Sequence, residues 1–100
     1  MAAYVCVVEV RLHLNSSGSL KSKRKVVSSL KAQVRQRFGA SVAEIDGHDT
    51  WQRAVLLCAL VGGSDIGARA DDLERFVQAR CPDECSFDRN LLTLADLREL

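Results

Sequence analysis

The chain has 100 residues, enough for one domain around one core (residues 1–100, with 95–100 as a tail), and its composition, 47% hydrophobic and 27% charged, excludes a disordered or low-complexity chain. The longest apolar run, residues 54–61, is far short of the ~20 residues a membrane span needs. No basic n-region precedes the first apolar run, so the expected location is cytoplasmic, away from membranes. The formal charge of +1 conceals an asymmetry: residues 20–38 hold seven cations and no acid, and residues 39–100 hold six arginines against twelve acids. Such a split bears on partners more than on fold.

Residues 4–14 alternate strictly. Tyr4, Cys6, Val8, Val10, Leu12 and Leu14 share one face and Val5, Val7, Glu9, Arg11 and His13 the other, so the segment predicts a strand with one fully apolar side. Asn15-Ser16-Ser17-Gly18 breaks it. Ser19 is a suitable N-cap for a long helix whose core stripe is Leu20, Val27, Leu30, Val34 and Phe38, and Gly39 is a left-handed stop. Residues 41–46 predict a second strand and 47–50 a turn. Residues 51–61 predict a third strand, apolar on both faces and therefore central. Ser64 is the expected cap of a second helix, with Asp65 in its first turn and Ile66, Ala70, Leu73 and Val77 as its core stripe. Residues 89–94 read as a weaker final strand. The order β-α-β-β-α-β predicts an α+β ferredoxin-like sandwich, a four-stranded antiparallel sheet with two helices on one face and the first and third strands in the centre.

That topology brings the start of the first helix beside the hairpin around residues 46–51. At about 100° per residue, Lys21, Arg24, Lys25, Ser28 and Arg35 point outward, with Lys31 on their flank. Lys23 falls instead on the core side, four residues before Val27. Cations in the first turns oppose the helix macrodipole, so these residues cost stability and together form an anion site. Two readings stand. The cluster is a solvated face neutralised from within by Asp46, Asp49 or the acidic second helix, with Lys23 snorkelling past the sheet edge, or it is a polyanion site. On the second reading, Lys23→Ala weakens binding and leaves stability unchanged or slightly higher.

Weaker features flank it. His48 beside Asp49 resembles an acid–base pair, but adjacent turn residues seldom face one substrate. Asp46 and Asp49 offer two carboxylates, too few for a convincing metal site. Trp51 is either packing under the hairpin or a stacking surface for a base. Cys6 and Cys58 read as core residues. Cys81 and Cys85, three residues apart, lack the second pair of a zinc knuckle, and a native disulfide is disfavoured in this compartment. No metal, cofactor or catalytic residue is expected. The open sheet face lacks the paired aromatics of an RNA-reading platform, and it is either a dimer surface for a second copy of the chain or is covered by the tail.

Two stretches, "SLKSKRKVVSSL" and "VAEIDGHDTWQRAVL", resemble the YlxP-like family, small bacterial proteins of uncharacterised function. Ser19, Leu20, Lys21, Lys23 and Arg24 match its first motif. Val42, Ala43, Glu44, Asp46, Trp51, Gln52, Arg53 and Ala54 match its second. The resemblance spans about residues 4–80 and implies a ferredoxin-like fold. It also implies a genomic setting beside genes for translation initiation and ribosome maturation, and brings no catalytic residues.

The combined expectation is a non-enzymatic protein that binds RNA or a ribosomal subunit. Phosphates would be held by Lys21, Lys23, Arg24, Lys25, Lys31, Arg35 and Arg53, with His48 and Trp51 stacking or bordering the track. The alternative is a protein-interaction module that docks an acidic partner or self-associates through its sheet face.

Overall fold

Tyr4–His13 forms strand β1, and its alternation decides the architecture: Cys6, Val8, Val10 and Leu12 are all at most 1% exposed. The computed structural model describes residues 2–14, 18–47, 50, 52–81 and 83–100. The elements that follow are α1 (Leu20–Phe38), β2 (Ser41–Asp46), β3 (Arg53–Gly62), α2 (Ile66–Arg80), β4 (Cys85–Thr93) and α3 (Leu94–Arg98). β1 pairs antiparallel with β3 on one side and β4 on the other, and Val8 opposes both Cys58 and Arg89. β2 pairs antiparallel with the free side of β3, giving the order β2-β3-β1-β4. This is the ferredoxin-like order, with the two most apolar strands in the centre.

The core lies between the sheet and the two long helices. Leu56, Cys58 and Leu60 of β3 meet Val27, Leu30 and Val34 of α1 and Ala70, Leu73 and Val77 of α2. Each large aliphatic side chain buried there contributes roughly 1.5–3 kcal/mol. The α1 boundaries are set by its caps. Ser19 Oγ accepts the Ser22 N–H at 3.1 Å, and Gly39, at φ 63°, turns its N–H onto the Arg35 carbonyl.

Three boundaries differ from the sequence expectation. α2 is capped at Asp65 rather than Ser64, because the Ile66 N–H turns back to the Gly63 carbonyl. β3 begins at Arg53, and Trp51, placed in that strand by its sequence, lies outside the described residues. β4 begins at Cys85, four residues before the expected start. Pairing with β1 (Leu12 opposite Cys85, Val10 opposite Phe87) and contact of both side chains with the core outweigh its polar composition. The tail forms α3, where Thr93 Oγ1 accepts from the Asp96 N–H and the Asp96 carboxylate accepts from the Thr93 N–H.

One arginine closes the end of the sandwich opposite the hairpin. Arg69 Nη1 donates to the Val61 carbonyl at 2.9 Å and Nη2 to the Phe38 carbonyl at 3.1 Å, joining α2 to β3 and to the last turn of α1. Gly62 makes room for it: a Cβ there would lie 2.5 Å from Nη1.

Candidate functional site

The basic helix divides into outward and inward cations. Lys21, Arg24 and Lys25 are exposed on the first two turns of α1, Lys31 is half-buried, and no acidic residue lies in the first turn. Lys23 is 1% exposed, a lysine inside the core. Its Nζ donates to Glu44 Oε2 at 2.7 Å and to the Gly47 carbonyl at 2.6 Å.

Lys23 therefore leaves the expected set of phosphate ligands. Its ammonium is withdrawn from solvent, and its charge is met by a carboxylate. The same bonds bear out the juxtaposition inferred from topology, since they tie the start of α1 to the end of β2 and the turn after it. The residue that neutralises Lys23 is Glu44, whereas Asp46, one of the expected candidates, faces Arg53. Val42 and Glu44 are alternate residues of β2 and face the helices, so an inward carboxylate meets an inward lysine. Gly47, at φ 83°, aims its carbonyl at Nζ and packs against β3, where a Cβ would lie 2.7 Å from the Arg53 carbonyl oxygen.

Two further expected ligands already have partners. Arg35 Nη2 donates to the Val42 carbonyl at 2.6 Å, which covers part of the β2 edge, and Arg53 Nη2 lies 3.4 Å from Asp46 Oδ2. His48 and Trp51, expected to border the track, lie outside the described residues, as does Asp49.

Several of the remaining cations are also engaged. Arg11 meets Glu9 and Asp88, Arg75 meets Asp72, and Arg89 bridges Asp71 and Glu74. Those carboxylates hold the Arg11 and Arg89 guanidiniums still more firmly protonated than usual. Arg37 and Arg80 stack on Phe76, with guanidinium carbons 4.9 and 3.8 Å from the ring centroid. Among the described residues, the cations without such a partner are Lys21, Arg24, Lys25 and Lys31 of α1, and Arg98 of α3. A groove of about 420 Å³ opens beside Lys25, floored by Leu12, Leu14 and Leu30 and reaching Cys81.

On the far side of the sheet, Val5, Val7, Leu57, Ala59 and Val61 form an apolar area bordered by Glu9, Arg11 and Asp88. Val61 is 71% exposed. α3 buries none of its own residues.

Comparison with known proteins agrees with this fold. The model of the family described as "Protein of unknown function (DUF503)" matches residues 5–87. The "Uncharacterized protein YlxP" of Bacillus subtilis (strain 168) is 40% identical over 50 residues, spanning 50% of this chain and 54% of that protein. The chain thus matches about half the length of that relative. The solved structure of the "De novo designed protein Foldit4" superimposes with a TM-score of 0.56 at 10% identity, covering 91% of this chain and 97% of that one, a likeness of fold alone.

Proposed function

The chain belongs to the DUF503 family of proteins of unknown function, and we propose that it is a non-enzymatic RNA-binding protein, with ribosomal subunits as the RNA to examine first. One observation carries the reading. Lys21, Arg24 and Lys25 stand exposed at the amino end of a 19-residue helix and have no partner among the described residues, while most other cations of the chain are matched by carboxylates, carbonyls or an aromatic ring. The positive end of the helix dipole adds to their field, and phosphate relieves both. Lys31 extends the same face by two turns. Recognition is of backbone and shape, because lysine and arginine contacts to phosphate carry no sequence information.

The test is a salt titration of binding to isolated ribosomal subunits and to a generic structured RNA. Three or four phosphate contacts give a log–log slope of about −2 to −4. A Lys21→Ala/Arg24→Ala/Lys25→Ala variant should bind more weakly, with a slope shallower by about 2 or 3. Absence of binding by the wild type at low salt, or equal slopes for the two proteins, would refute the reading.

A second reading is favoured by the open sheet face. Self-association through Val5, Val7, Leu57 and Val61 would remove an apolar area from water. A solution mass of one chain at high protein concentration would rule it out. A dimer that reverts to monomer in Val61→Lys would support it.

A further inference from the structure

Cys81 ends α2 and Cys85 opens β4, so two thiols stand at the two ends of one short connection in the sequence. Both of its ends are pinned. The Cys81 N–H donates to the Val77 carbonyl at 2.9 Å, and the Glu84 carbonyl accepts the His13 N–H at 2.8 Å. The same Glu84 carbonyl accepts the Cys81 thiol at 3.5 Å. Both cysteines are half-buried against the rim of the core, and both are free thiols. They differ from the other two in access: Cys6 and Cys58 are each 1% exposed, whereas Cys81 lines the open groove beside Lys25.

We propose that Cys81 and Cys85 are a reversible oxidation site, converted to an intramolecular disulfide by a low-molecular-weight disulfide of the glutathione class. Cys81, reached through the groove, reacts first. It loses its proton to water, and its sulfur attacks one sulfur of the oxidant. The oxidant S–S bond breaks, and the departing thiolate takes up a proton. Cys85 then loses its proton and attacks the Cys81 sulfur, and the second half of the oxidant leaves as a thiol in the same way. The two protein thiols give up two electrons, and the oxidant disulfide becomes two thiols. Cys85 suits the second role. Burial, and next its neighbour Cys81, push its thiol up to about 11, so it stays protonated until the mixed disulfide places an electrophilic sulfur beside it. Burial alone pushes the Cys58 thiol to about 11, and that thiol is closed off inside the core.

The test incubates the reduced full chain with oxidised glutathione at pH 8, then traps remaining thiols by alkylation under denaturing conditions. Intact mass and peptide mapping are the readouts. The expected product has lost two thiols, joins the peptides of Cys81 and Cys85 within one chain, leaves Cys6 and Cys58 alkylated, and is restored by dithiothreitol. Cys85→Ser should accumulate a glutathione adduct on Cys81, because the resolving thiol is gone. The proposal fails if the wild type keeps four alkylatable thiols, holds a stable glutathione adduct on either residue, or links between chains.

Discussion

Lys23 and Glu44 meet 2.7 Å apart across the edge between α1 and β2, with the lysine side chain 1% exposed and the carboxylate side chain 15%. A lysine this deep is tolerated because two acceptors, the carboxylate and the Gly47 carbonyl, replace its lost hydration. The pair fixes the start of the helix against the hairpin end of β2, where strand pairing is irregular between Glu44 and Asp46.

Removing one partner leaves the other stranded. Lys23→Ala should therefore destabilise the fold by about 3 kcal/mol, the cost of breaking a buried pair. This reverses the sequence expectation of unchanged or slightly higher stability. Combining Lys23→Met with Glu44→Gln should recover most of the loss, because no buried charge remains. Urea denaturation of the three proteins measures both effects. A Lys23→Ala midpoint equal to wild type would mean that the pair contributes nothing.

The exposed cations should behave in the opposite way. Lys21, Arg24 and Lys25 sit at the positive end of the α1 dipole, with no carboxylate in the first turn. Lys21→Glu should raise stability by a few tenths of a kcal/mol, an effect lost in high salt. Thermal unfolding at low and high ionic strength checks it. A salt-independent or destabilising effect would show that these charges are compensated.

The two parts of the basic segment differ in how readily they can be read. The helix, its caps and its buried stripe follow from local periodicity, and Ser19 and Gly39 act as their residue types suggest. The placement of Lys23 on the core face is also legible, from its spacing to Val27. Its meaning is not, because that depends on a side chain 21 residues away. The usable signal was Glu44 itself, an acid on the same strand face as Val42, but two nearer-looking candidates, Asp46 and Asp49, obscured it. Asp46 instead faces Arg53 and accepts the Gly47 N–H. The early start of β4 was hidden for a similar reason. Ser86 and Asp88 look like loop until β1 supplies their hydrogen-bonding partner and Asp71 and Glu74 engage the neighbouring Arg89.

Two glycines with positive φ offer a controlled comparison. Gly39 has φ 63°, and a Cβ added there would meet nothing within 4 Å, so Gly39→Ala should cost about 1 kcal/mol, the left-handed penalty alone. Gly47 has φ 83°, and its added methyl would meet the Arg53 carbonyl oxygen at 2.7 Å. Gly47→Ala should cost clearly more, about 2–4 kcal/mol, because the backbone must move and the carbonyl that holds Lys23 moves with it. Equal losses in the two variants would show that the hairpin end yields without disturbing the lysine.

The short helix at the carboxyl end should depend on pH through one residue. The Asp96 carboxylate accepts the Thr93 N–H at 2.9 Å, and this bond is the leading cause that holds its pKa below the usual 3.8. A carboxyl whose folded value is depressed favours the folded form fully above the unfolded value. That contribution is lost as pH falls through the folded value. The α3 cap should thus be intact from neutral pH down to about 4 and open only at lower pH. Because Asp96 is fully exposed, the effect is confined to α3 and leaves the global unfolding transition in place. The Thr93 amide resonance, followed by NMR, should titrate with a midpoint below 3.8. Asp96→Asn should abolish the titration and weaken protection of that amide, while Thr93→Ala should move the Asp96 midpoint upward, because the Thr93 hydroxyl is the second cause that lowers it. A wild-type midpoint at or above 3.8 would show that the reciprocal cap does not persist in solution.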